Sequence, residues 1–263
     1  YNYFTKAKEY QKQLDFYNRA KIKGASPRRD IELEALSEIL NKKRFITCHS
    51  YVQSEINMLM HVADSFNFKV NTFTHILEGY KVADKMKAHG VNASTFADWW
   101  AYKYEVIDAI PYNAAILTKV GINTAINSDD AEMARRLNQE AAKTIKYGGL
   151  TEEQAWKLCT LNPAKMLHLD NRTGSIKVGK DGDVVVWSDN PLSIYAKAEK
   201  TFVDGILFFD IERDAAKREE IKKERARLIQ KMLDDKKGGG PTQEPVKKDN
   251  HEYNCGGFDE HKF

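Results

Sequence analysis

The sequence predicts an α/β protein in which four short strands alternate with helices and pair in parallel. Three observations carry this reading. Apolar runs rich in β-formers recur at 44–50, 68–76, 91–97 and 122–128, helical periodicity fills the stretches between them, and ligand-type polar residues gather where the runs end. Strands separated by helices require right-handed crossovers, so the sheet is parallel, either doubly wound or closed as a (β/α)8 barrel. No G-x-G-x-x-G follows the first strand, which weakens the dinucleotide-binding version.

In chain order, Tyr3, Phe4, Tyr10, Leu14 and Tyr17 stand at helical spacing within 1–23, and "SPRRDIELEALSEIL" restarts a helix after Ser26-Pro27. "RFITCHS" is the first strand, "EINMLMHVADSF" a helix, and "FKVNTFTHI" the second strand. "LEGYKVADKMKAHG" is helical with a glycine stop, "VNASTFA" the third strand, "YNAAILTKVG" a helix, and "INTAINS" the fourth strand. "GGLTEEQAWKLCTLNPAKML" reads as one helix opened by a Thr151–Gln154 capping box. "TGSIKVGKDGDVVVWSD" and "KTFVDGILFFD" then give short strands joined by Gly and Asp-Gly turns, and 212–233 is a highly charged helix. The division expected is 1–167 for the helix-and-strand part, 168–211 for a small β-domain, 212–235 for the helix and 236–263 for a disordered tail rich in Gly, Pro and alternating charge.

A content of 42% hydrophobic and 11% aromatic residues in 263 suffices for a globular core. The 41 basic and 38 acidic residues nearly cancel, so nucleic acid is not an expected partner. No apolar run approaches the roughly 20 residues of a membrane span, so a membrane is not expected either. Cys48, Cys159 and Cys255 have no CxxC spacing and imply neither a disulfide framework nor a zinc ribbon.

His49, His75 and the pair Asp129–Asp130 all fall at carboxyl ends of strand-like runs, the edge where barrel enzymes keep their chemistry. Imidazole and carboxylate are the usual protein ligands of a hydrolytic divalent metal such as zinc, and two histidines with one aspartate at separate strand ends can converge on one ion. The rival reading for any one of them, His75 included, is a packed core residue. His61, His89 and His168 suit capping or packing better. His251 and His261 lie in the tail. Trp99 and Trp100 read as core or rim residues, with the substrate mouth as the alternative.

Taken in order, "ITCHSYVQSEI", "FTHILEGYKVADKMKAHGVNASTFADWWAYK", "INTAINSDDAEMARRLNQEAAK", "TLNPAKML" and "TGSIKVGKDGDVVVW" resemble the C-terminal half of a metal-dependent amidohydrolase of the imidazolonepropionase-like group. The resemblance runs from about residue 30 to 233. It implies strands 5–8 of a TIM barrel, a small flanking β-sandwich portion and a C-terminal helix. It also implies His49, His75 and Asp129 as ligands of a divalent metal, most simply zinc, with one ion or two left open. Asp129 would double as the general base. Glu78, Lys81 and Asp130 are weaker candidates for supporting or substrate contacts.

The strand-1 His-x-His pair of that family occurs nowhere in this sequence, and about 135 residues of barrel-like sequence are roughly half of the approximately 250 a full barrel needs. The chain is therefore expected to be a fragment, inactive alone, whose partners are a small-molecule substrate and the missing N-terminal half. A homo-oligomer stays open. The leading activity is hydrolysis of a C–N bond outside ordinary peptides, in a cyclic amide or a small dipeptide-like substrate. Deamination by a related barrel and a non-catalytic half-barrel interaction module are the rivals.

Overall fold

The structure, a computed structural model, describes residues 1–20, 26–241 and 243, so most of the expected tail, with His251, Cys255 and His261, lies outside the described residues. Two compact units divide between Ser175 and Ile176.

The first unit opens with α1 (Asn2–Ala20) packed on α2 (Ile31–Leu40), whose N-cap Asp30 accepts from the Leu33 amide at 3.0 Å. The predicted alternation follows: β1 (Thr47–His49), α3 (Gln53–Phe66), β2 (Thr72–Thr74), a 3-10 turn at Gly79–Val82 leading into α4 (Ala83–His89), β3 (Asn92–Thr95), α5 (Asn113–Val120) and β4 (Thr124–Ile126). The four strands form one parallel sheet in the order β1-β2-β3-β4. Gly90 and Gly121 end α4 and α5 with φ of 82° and 89°, a left-handed turn that costs glycine little and feeds the chain straight into the next strand.

Alternation along the strands separates two faces. Phe73 and Ala93 are fully buried and, with Cys48 beside them, pack on Ile56, Met60, Met86 and Leu117 from α3, α4 and α5. At roughly 25 cal/mol per Å² of buried apolar surface, this helix-side layer is the main stabilisation of the sheet. Thr47, His49, Thr72, Thr74, Asn92 and Ser94 alternate with those core residues and give the opposite face its polar character.

The chain continues through α6 (Ala131–Ala134) and α7 (Leu137–Gly148), which lies so close to α5 that a Cβ on Gly148 would meet the Ala115 Cβ at 2.0 Å. The Thr151–Gln154 capping box is present at the start of α8 (Glu152–Lys157). The single helix expected beyond it is instead two, α8 and α9 (Leu161–Met166). Pro163 is the reason: it has no N–H to donate, and its ring clashes with a helical carbonyl four residues earlier, at Cys159.

The second unit holds an antiparallel sheet of β5 (Val184–Trp187), β6 (Ala198–Val203) and β7 (Ile206–Asp210), in that order. Asp204 and Gly205, both at positive φ (50° and 76°), make the two-residue hairpin that the Asp-Gly pair predicts. Asp210 caps α10 (Ile211–Lys237) by accepting from the Glu212 and Arg213 amides, and this helix runs two residues into the segment expected as tail. No described helix is long and apolar enough to cross a membrane.

Candidate active site at the carboxyl edge of the parallel sheet

Register places His49 beside Thr74, so His75 stands one residue beyond it on the neighbouring strand. His75 takes φ of 63°, in the left-handed region, and its carbonyl accepts from the Leu77 amide at 2.9 Å. A non-glycine residue held there marks a position fixed by more than local preference. The turn points the imidazole back across the strand ends, where its ring centroid lies 4.5 Å from His49 and 4.7 Å from Phe96.

His75 Nδ1 is buried and has no hydrogen-bond partner. Burial lowers the pKa of the ring, the neighbouring His49 lowers it further, Asp129 works the other way and Lys103 lowers it again. The net effect favours the neutral imidazole, the form that ligates metals. Asp129, three residues past the end of β4, is half-buried and close enough for its charge to act on His75. Among the described residues no three His, Cys, Asp or Glu side chains stand close enough to enclose an ion. The structure thus brings His49 and His75 together and leaves Asp129 within electrostatic reach. Two adjacent imidazoles, one with a buried unshared nitrogen, fit the donor preference of a divalent ion such as zinc.

The weaker candidates have identifiable occupations. Buried Glu78 accepts from the Gln53 amide at 2.9 Å, which ties the first turn of α3 to the loop after β2, and its other oxygen lies 3.4 Å from Lys81. Lys81 donates to Asp108 at 2.5 Å. Asp130 is the N-cap of α6, accepting from the Glu132 and Met133 amides at 2.8 and 3.0 Å.

The loop after β3 supplies a wall. Phe96 stacks on Trp99 at 4.5 Å, and Trp99 meets Tyr102 edge-on at 5.4 Å. Trp99 and Ala101 both have positive φ, of 70° and 53°. Trp100 turns elsewhere and pairs with Tyr147 of α7. Buried Tyr51 packs in the same cluster as Phe96 and sets its ring edge-on to His49 at 4.7 Å. Asn127 donates from Nδ2 to Thr74 Oγ1 at 2.8 Å, while its Oδ1 is buried without a partner.

Residues 70–208, just over half of the chain and including His75 and Asp129, match the model of the Amidohydrolase family. The chain belongs to the amidohydrolase family. Its fold superimposes with a TM-score of 0.72 on the crystal structure of an amidohydrolase from Thermotoga maritima MSB8, at 29% identity over 80% of this chain and 54% of that one. Amidohydrolase tasK of Hapsidospora irregularis is 29% identical over 186 residues, 69% of this chain and 19% of that protein. A. niger ochratoxinase, at 16% identity, a TM-score of 0.52 and coverage of 70% of this chain and 46% of that one, shares the fold. This amidohydrolase chain therefore spans about half the length of the solved Thermotoga maritima relative and a fifth of the longer one.

Tyr51, Phe96, Lys103 and Asn127 were not singled out by sequence reasoning, although each lies within two residues of a strand end or in the aromatic run "FADWWAYKY". Position relative to the strand ends was the available signal for Tyr51, Phe96 and Asn127.

Proposed function

We propose that this chain is half of the active site of a metal-dependent hydrolase of the imidazolonepropionase-like group, built on strands 5–8 of a (β/α)8 barrel. Its reaction is the cleavage of a C–N bond outside ordinary peptides, in a cyclic amide or a small amide. The observation that carries the proposal is the pairing of His49 and His75 across two strand ends, with a buried nitrogen of His75 left unshared. Burying a polar atom without a partner costs about 1–3 kcal/mol, and a fold tolerates this where a ligand completes the bond.

His49 and His75, with Asp129, would hold a divalent ion, zinc being the natural match to imidazole donors. Such an ion supplies Lewis acidity, making water a nucleophile near neutral pH and polarising the carbonyl under attack. The chain's own residues do the rest. His75, kept neutral by burial beside His49, presents a lone pair rather than a proton. Asp129 accepts the proton that the attacking water releases and passes it to the leaving nitrogen. Phe96 and Trp99 shield the site from bulk solvent on the β3 side. The other barrel half, a small-molecule substrate and a homo-oligomer are the partners consistent with this reading.

The test uses protein expressed from its full coding sequence, with elemental analysis beside turnover of small amides. Asp129→Asn should lower kcat by about 100-fold or more while the protein still retains metal, because proton transfer is worth roughly 10²–10⁴. His75→Ala should lose both metal and turnover. Full metal content and normal turnover in His75→Ala would overturn the proposal in favour of a non-catalytic module.

A further inference from the structure

Three lysines stand around this edge of the sheet, and their pairing differs. Lys81 is held by Asp108 and Glu78, and Lys143 by Asp98 and Glu140. Lys103, half-buried, has no carboxylate partner among the described residues. Its Nζ donates to the Tyr51 hydroxyl at 3.4 Å and sits 4.5 Å from the Tyr51 ring centroid and 5.5 Å from that of Tyr102. Burial is the largest single influence and works against its charge, but Tyr51 and Tyr102 together outweigh it and hold the ammonium above the usual lysine range. A cation flanked by two aromatic faces still has donor capacity for an anion, because an ammonium carries three N–H groups and Tyr51 occupies one.

Lys103 is also tied to the reacting centre. Contacts run from Lys103 to Tyr51, to His49 and His75, to Phe96, Trp99 and Tyr102, and back to Lys103. The positive charge is felt at His75. Its backbone is fixed: the Lys103 carbonyl accepts from the Val106 amide at 3.1 Å, the Val106 carbonyl accepts from the Ala101 amide at 3.1 Å, and Val106 is fully buried. This lysine is held in place by its loop.

We infer that Lys103, braced by Tyr51, binds a carboxylate on the substrate beside the scissile bond, which makes the substrate class an N-acyl amino acid with its apolar side chain against Trp99 and Tyr102. The inference rests on the hydrolase reading of the site for the scissile bond and hence for the N-acyl part of the substrate. The anion site itself stands on the unpaired ammonium and its ring of contacts.

Binding of two shape-matched probes, N-acetyl-L-phenylalanine and N-acetyl-L-phenylalaninamide, tests it on the full protein by calorimetry with zinc present. The wild type should prefer the carboxylate by about tenfold or more, the usual worth of a hydrogen bond to a charged group. Lys103→Met should erase the preference, Lys103→Arg should keep most of it, and Tyr51→Phe should reduce it, with circular dichroism confirming that each is folded. Equal affinity for both probes in the wild type, binding of neither, or an undiminished preference in folded Lys103→Met would overturn the assignment. The preference should persist in Asp129→Asn. A retained preference without any hydrolysis by the wild type would sink the hydrolase reading and leave the anion site standing, and hydrolysis without preference would do the reverse.

Discussion

The two edges of the parallel sheet use the same residue types to opposite ends. At the amino edge, Asn123 donates to Asn92 Oδ1 at 3.1 Å and Asn92 to the Asn71 carbonyl at 2.7 Å. Asn71 in turn donates to the Met166 carbonyl at 2.8 Å, and its Oδ1 meets His168 Nε2 at 2.9 Å. Asn162 closes the other side by donating to the Thr124 carbonyl at 2.8 Å. His89 is equally committed: Nε2 accepts from the Val70 amide at 3.2 Å, which leaves the proton on Nδ1 for Asp64 at 2.8 Å. At the carboxyl edge, His75 Nδ1 and Asn127 Oδ1 are buried and unshared. A polar network with every bond made holds a fold together, and one with buried gaps sits where a ligand can complete it. The contrast separates structural histidines from candidate ligands more sharply than any histidine's place in the sequence.

The contrast can be broken by exchanging its histidines for alanine in metal-free protein. His89→Ala should cost about 2–3 kcal/mol in denaturant unfolding, because it strands the Val70 amide and opens a cavity beside the core. His75→Ala should cost less than about 1 kcal/mol, since it removes an atom already unpaired. Similar losses for both would erase the distinction between the edges.

The asparagines sharpen it at a smaller scale. Asn71→Ala should destabilise by about 1–2 kcal/mol through the Met166 carbonyl and His168 it leaves behind. Asn127→Ala gives up one bond to Thr74 and removes a buried orphan oxygen, so its effect should stay within about 0.5 kcal/mol of zero. A larger loss at Asn127 than at Asn71 would mean that the carboxyl edge is structural too.

The alternation of strand and helix, the parallel pairing it requires, and the placement of His49 and His75 at one edge were legible because hydrophobic periodicity and strand-end position are local signals. The asparagine ladder was written in the sequence as well, in the repeated Val70-Asn71-Thr72, Val91-Asn92-Ala93 and Ile122-Asn123-Thr124, three strand openings of one pattern. Each asparagine taken singly, at the opening of a strand, has the signature of an ordinary turn residue, so the ladder shows only once the strands are paired. The break between α8 and α9 has a local signal in Pro163. The different fates of Trp99 and Trp100, and the setting of Lys103, were not legible. They depend on the positive φ values of Trp99 and Ala101, and a loop without periodicity gives no notice of these.

The most direct measurement of the difference between the edges follows the imidazole nitrogens by ¹H–¹⁵N NMR as zinc is added, with each histidine assigned by substitution. If the carboxyl edge is a metal site, the His49 and His75 resonances should shift together and stop titrating with pH, while those of His89 and His168 stay in place. Resonances of His49 and His75 that keep titrating in the presence of zinc, or His89 and His168 responding before them, would contradict it.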